Sequence, residues 1–208
     1  MTRNQLHGKK FEDLIKGCGL FPGAADQSRS STVGIDIEAK FDRLHGLPTN
    51  IKTTGSGILT LSDARRFWVI DYPFRMIVGS YRQLDDRKYF SLIHEFFVLP
   101  ADLNLLRGNV TAQEVEVLHF GISLTAFPAG QHADARTWVQ QQKVKLADRV
   151  TRVTLTPKID SKNQRRMQCS IRLVDLIAVT QSGGRHTEHV ENIGDLVLPI
   201  ILISSKRK

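Results

Sequence analysis

Residues 34–54 read Gly34-Ile-Asp-Ile-Glu-Ala-Lys-Phe-Asp-Arg-Leu-His-Gly-Leu-Pro-Thr-Asn-Ile-Lys-Thr-Thr54, two short runs of alternating apolar and polar residues joined by a turn. In the first run Ile35, Ile37 and Ala39 alternate with Asp36, Glu38 and Lys40. A β-strand over about 33–41 would therefore set both carboxylates on one face, two residues apart. In the second run, entered through Pro48, Ile51 alternates with Asn50 and Lys52. A neighbouring strand over 48–54 would deliver the Lys52 ammonium beside the carboxylates. Two carboxylates and a lysine on paired strands can bind Mg2+ through oxygen, position a water and place a positive charge beside a scissile phosphate. An ordinary exposed strand face on which Asp36, Glu38 and Lys40 form mutual ion pairs accounts for the same pattern without chemistry.

Outward from this stretch the pattern is mixed. Phe11, Leu14 and Ile15 recur at helical spacing within residues 8–17, with Gly17 and Gly19 as a stop. Phe21 to Thr32 is rich in Pro, Gly, Ala and Ser and reads as a loop. Ser62 to Arg66 reads as a capped helical turn or loop, and Phe67–Tyr72 and Phe74–Gln83 as two strands, or one bent strand, divided at Pro73. Tyr89–Leu99 suits strand or helix; a strand ending at Pro100 is the preferred reading, followed by a short helix over Ala101–Arg107. A longer helix is expected over Ala133–Val150, and alternating, strand-like segments over Arg152–Ile159 and Met167–Val179. The turn Ser182-Gly183-Gly184-Arg185 leads to a final extended segment. The order predicts an α/β or α+β fold, a mixed sheet flanked by helices.

With 208 residues and 41% hydrophobic content, the chain can bury one sizeable core, and a single domain over 1–208 is expected. Its catalytic core would span about 8–100 and its recognition elements about 133–190. Lys and Arg number 29 against 21 Asp and Glu, a net charge of +8 that, with a pI near 9.7, favours a polyanionic partner such as nucleic acid. Cys18 and Cys169 are too few and too far apart for a disulfide framework or a cysteine zinc site. The N-terminus lacks the apolar core of a signal peptide, and the longest apolar stretch, Leu196–Ile203, contains Pro199. A soluble, cytoplasmic protein is expected. No glycine pattern for a nucleotide cofactor occurs.

The residues quoted first resemble the active-site motif of the PD-(D/E)xK nucleases, and among these the type II restriction endonucleases. The resemblance covers about the first third of the chain: a helix over Phe11–Lys16, then Gly34-Ile35-Asp36, then Asn50-Ile51-Lys52. Two departures stand out. Gly-Ile replaces the proline that often precedes the aspartate, and Asn50 stands where the family has an acid. The family motif implies Mg2+ held by Asp36 and the Ile51 carbonyl, with Lys52 orienting or activating the attacking water. Glu38 is the expected replacement for the missing acid, and Glu12 on the preceding helix is a further candidate for holding a metal-bound water. Glu38-Ala39-Lys40 is itself an acid-x-Lys match, but it leaves no room for a second strand, so Lys40 is expected to meet phosphate or solvent. The resemblance further implies double-stranded DNA as substrate and a homodimer, since two strands are cut.

Between the last two alternating segments, Thr156 to Gln168 gathers Lys158, Lys162, Asn163, Gln164, Arg165, Arg166 and Gln168. These are the donors and acceptors that read base edges, although a charged solvated turn has the same composition. Lys143, Lys145 and Arg149 read mainly as a solvated helix face. His186 and His189, with Glu188 and Glu191, form an HxxH spacing that, lacking cysteine or a helix, is not read as a zinc site. A structure-specific or repair nuclease and a non-catalytic basic nucleic-acid-binding module remain alternatives.

Overall fold

Phe11 and Ile15, the apolar side read for the N-terminal helix, are fully buried on α1 (Arg3–Gly17). The computed structural model describes residues 3–26, 35–160 and 163–203. Gly34, part of the Phe21–Thr32 loop, the recognition candidate Lys162 and the Lys206-Arg207-Lys208 tail therefore lie outside the described residues. After α1 come β1 (Thr49–Thr54), β2 (Ile58–Asp63), α2 (Ala64–Trp68), β3 (Phe74–Leu84), β4 (Arg87–Val98), α3 (Pro100–Arg107), α4 (Ala112–Gly121) and α5 (His132–Val144). The chain continues through β5 (Val153–Ile159), β6 (Arg165–Arg172), α6 (Leu173–Gln181), β7 (His186–His189), β8 (Asn192–Ile193), β9 (Leu196–Val197) and β10 (Ile200–Ile203). This is an α/β fold with a mixed sheet and flanking helices, as the sequence predicts. Among the described residues no helix is long and apolar enough to cross a membrane.

By contacts the chain forms two compact units, Met1–Leu59 with Tyr72–Leu99 and Thr180–Lys208, and Thr60–Asp71 with Pro100–Val179. The range expected for the catalytic core thus falls mainly in the first unit, which also takes in the C-terminal segment, while the hairpin expected to read bases belongs to the second.

In the first unit the sheet order is β1-β3-β4-β10, with β7 also paired to β4. β1 runs parallel to β3, and β3–β4, β4–β7 and β4–β10 are antiparallel. Side chains alternate between two faces. One face bears Ile51, Ile77 and Ile93 and packs with Phe11 and Ile15 of α1 into the core. A register shift at Ser80/Tyr81, where Leu92 and Phe90 rather than consecutive β4 residues are the partners, inserts one extra residue into β4. The bulge reverses the alternation, so Phe90 turns to the helix side and stacks on Phe11 with ring centroids 4.6 Å apart. Gly79 lies beneath both rings, and a Cβ there would collide with Phe11 and Phe90. The same face buries a charged group: Arg75, 2% exposed, donates through Nε to Glu95 at 2.6 Å and lies 3.7 Å from Asp42.

The second unit has the three-stranded order β2-β6-β5, against which α2, α4 and α5 pack. Its core includes Phe67, Leu103, Leu106, Leu118, Val139 and Met167. Trp68 satisfies its indole N–H on the Val110 carbonyl at 2.9 Å, and Arg107 donates to the Phe67 and Ile70 carbonyls at 2.6 and 2.7 Å. Both cysteines are buried; burial raises both thiols, that of Cys169 to about 12.

Several local expectations are corrected. No strand forms over 35–41: Ile37 makes a single bridge to Thr49, and Ala39–Phe41 is a 3-10 turn. Phe67–Tyr72 is not a strand, because Asp63 accepts the Arg65 N–H and starts α2, which takes Phe67 and Trp68 into a helix. The helix expected over Ala133–Val150 ends at Val144. Met167–Val179 changes type at Leu173, where the buried set Leu173, Leu176 and Thr180 takes up helical spacing. Helix α4 has no counterpart in the sequence reading.

Candidate functional site

Asp36 is positioned by the edge of β1. Its backbone N–H and that of Ile37 both donate to the Thr49 carbonyl at 3.0 Å, and Thr49 N–H donates back to Ile37 at 2.8 Å. There the pairing stops, and the Asp36 carboxylate takes over the next ladder position: Ile51 N–H donates to Asp36 Oδ2 at 2.6 Å. A charge-assisted bond of this kind is about twice as strong as a neutral one. Asp36 is thereby fixed beside Lys52, whose Nζ lies 3.4 Å from Asp36 Oδ2 and 3.2 Å from the Ile51 carbonyl oxygen. Both side chains keep 24% of their exposure, so the group is open to solvent on one side.

Asn50 precedes Lys52 by two residues, so its side chain leaves β1 on the same face. It is 9% exposed, and its Oδ1 is buried without a hydrogen-bond partner. An unsatisfied buried oxygen costs roughly 1–3 kcal/mol, which a cation at this oxygen would offset. Around Lys52 stand a carboxylate and a main-chain carbonyl oxygen, and Asn50 contributes an amide oxygen from the same face of the strand. That hard-oxygen set fits Mg2+, which commonly takes one or two carboxylates and completes its shell with water and substrate phosphate. The Lys52 ammonium already bridges two of these oxygens as a cation would.

The other expected members are placed elsewhere. Glu38 does not share a strand face with Asp36, because the strand is absent; it pairs with Lys40 at 2.8 Å on a largely exposed turn. Lys40 also lies 5.0 Å from the Phe41 ring centre. Glu12 is held by Lys16 at 2.7 Å, one turn along α1. The structure thus brings together Asp36, Ile51 and Lys52, with Asn50 on the same face.

The recognition candidates lie on the β5–β6 hairpin, in register such that Lys158 opposes Arg166 and Thr156 opposes Gln168. These four share the solvent face, opposite buried Leu155, Met167 and Cys169. Like charges directly across a strand pair are destabilising, and an anion between Lys158 and Arg166 would relieve them. Arg165 faces differently: its Nη1 donates to the Asp160 and Gln164 carbonyls, both at 3.0 Å, closing the turn. Asn163 occupies the left-handed region at φ 65°, and Gln164 N–H is spent on Asp160 Oδ1 at 2.9 Å. Of the cations read on the long helix, Arg149 lies beyond its end and is bound to Glu114 at 2.6 Å.

One grouping was not read from the sequence. His94, His186 and Glu188 converge on the sheet face that carries Lys52. The HxxH spacing pointed to the wrong pair, because residues three apart on a strand lie on opposite faces: His189 reaches through to Glu95 at 2.8 Å instead.

No protein-family model, curated protein or solved structure matches the chain.

Proposed function

We propose that the protein is a Mg2+-dependent endonuclease of the restriction type, acting on double-stranded DNA in the cytoplasm as a homodimer that cuts both strands. One observation carries the reading: at the edge of β1 the Lys52 ammonium, sixteen residues beyond Asp36, lies 3.4 Å from its carboxylate and 3.2 Å from the Ile51 carbonyl oxygen. Asp36, the Ile51 carbonyl and Asn50 Oδ1 are the groups that would hold the ion. Bound there, Mg2+ supplies Lewis-acid stabilisation of the charge that builds on the phosphate. Lys52 orients the attacking water and adds a fixed positive charge. The net charge of +8 and the Lys158–Arg166 face support a polyanionic substrate.

Incubation with unmethylated phage DNA and Mg2+, followed by sequencing of the fragment ends, tests the reading. Discrete fragments are expected from the native protein and none from Asp36→Asn; absence of any Mg2+-dependent cleavage rejects it. Asn50→Asp adds a second carboxylate to the site and should lower the Mg2+ concentration for half-maximal cleavage by about tenfold. Glu38→Ala should leave cleavage nearly intact.

Asn50 also favours a second reading, a non-catalytic basic DNA-binding protein whose metal site lacks its acid; it predicts binding without cleavage in any divalent metal. Both readings share one expectation for the hairpin. Arg166→Ala should weaken DNA binding and reduce the slope of log affinity against log salt by about one. Arg165→Ala should leave that slope unchanged, since its guanidinium closes the turn. Anisotropy titrations at several salt concentrations separate the two, and the reverse ranking would move the contact to Arg165.

A further inference from the structure

We infer that His94, His186 and Glu188 form a second metal site, selective for zinc-like divalent ions, that fastens β7 to β4 and leaves a coordination position open to solvent. His94 Nδ1 and His186 Nε2 are 3.1 Å apart, and Glu188 Oε1 lies 3.5 Å from the first and 3.9 Å from the second. Three atoms so spaced lie on a circle of radius about 2.0 Å, so an ion at or just off its centre meets all three at zinc–nitrogen and zinc–carboxylate distances. An ion can therefore meet all three ligands with little movement of side chain or backbone.

The sheet builds this triangle. His94 pairs directly with Glu188, and Phe96 with His186, so the two histidines stand diagonally on one face. The Phe96 ring, fully buried, stacks on His186 with centroids 4.6 Å apart and on His94 at 6.0 Å, and fixes both imidazole planes. The imidazoles are 5% and 8% exposed, whereas Glu188 is 51% exposed, so ion entry and the open position lie on the carboxylate's side. Burial, the larger influence, holds both histidines below their ordinary pKa of 6.5 despite the nearby Glu188 carboxylate. Neutral imidazole is the form that ligates. Two nitrogens with one carboxylate select zinc-like ions over Mg2+, and three protein ligands are the set that leaves zinc a vacant fourth position.

This site is separate from the one at Asp36. Lys52 pairs with Val78, Val78 with His94, and His94 with Glu188. The histidine is thus two strand spacings from the lysine, roughly 10 Å, too far for one ion to serve both. The inference stands whether or not the protein cleaves DNA.

The test is titration of metal-free protein with Zn2+ and, for its visible spectrum, Co2+, in parallel with Glu188→Gln, His186→Gln and the control His132→Gln on α5. Zn2+ at a hundredfold excess over its Kd should raise the melting temperature of the native protein and the control by about 5 °C or more. Both site variants, checked for folding by circular dichroism, should bind at least tenfold more weakly and lose the intense visible bands of low-coordinate Co2+. Absence of a Zn2+ shift in the native protein overturns the inference. So does native-like affinity in either site variant, which would place the ion elsewhere or without one of its ligands.

Discussion

On the proposed nuclease reading, Lys52→Ala should lower the single-turnover rate of DNA cleavage in Mg2+ by about 10³-fold, because it would remove the positive charge proposed to stand beside the phosphate and the group proposed to orient the water. The fold should survive the change. Asp36 keeps its 2.6 Å bond from Ile51 N–H, and Lys52 is partly exposed, so no buried group is left unpaired except at solvent's edge. On the same reading binding should change little, since loss of one phosphate contact among several would alter affinity only modestly. Rates measured with protein in excess over a labelled duplex isolate the chemical step. A variant that cleaves at the native rate would remove Lys52 from the mechanism. Lys40→Ala, tested beside it, should leave the rate within a few-fold, because Lys40 sits on the exposed turn with Glu38.

Arg75→Ala should destabilise the first unit by about 3–5 kcal/mol, the cost of stripping one partner from a buried ion pair. Glu95 and Asp42 would be left as buried carboxylates, and the guanidinium's stacking over Phe21, 4.8 Å from the ring centre, would be lost. Burial alone would raise the Glu95 pKa, but the His189 hydrogen bond and the Arg75 charge more than offset it, so the carboxyl is held below its ordinary value of 4.5. The sign follows from linkage: a depressed carboxyl contributes stability that is fully present above 4.5 and is lost as pH falls through the lowered value. Glu95→Gln should therefore flatten the acid limb of the stability curve as well as lower its plateau. Trp68 and Trp138 both belong to the second unit, so amide exchange in β3 and β4 is the appropriate measurement. Protection unchanged in Arg75→Ala would show that the pair contributes nothing net.

Local signals were legible where the chain's neighbours agree with them. Phe11 and Ile15 mark α1, Pro48 opens β1, Pro73 precedes β3, and Pro100 ends β4 and begins α3. The Asp36–Lys52 relation was legible too, although the route to it was misread: a continuous strand was expected, and a single bridge with a side chain completing the ladder does the positioning. At Phe67 and Trp68 a β-rich composition was overridden by the Asp63 cap. Helix α4 carried a readable signal that was passed over, Thr111-x-x-Glu114, which forms a reciprocal capping box. The histidine cluster had no such signal. His94 and His186 are 92 residues apart, and only the β4–β7 register brings them together. Short spacing can announce a chelate on one helix or strand, but a cross-strand chelate is a property of register.

Among the described residues β1 ends the order of its sheet, and beyond the bridge at Thr49 no further strand of these residues pairs with its outer side. Open strand edges recruit other chains. Asp36 fills the Ile51 position with a carboxylate, which accepts the hydrogen bond and sets a negative charge where an incoming strand would have to lie. The residue proposed to hold the ion is therefore also a guard against self-association. Loss of this carboxylate by mutation would uncover the Ile51 amide and leave it free to pair with a strand of another chain, whatever chemistry the protein performs.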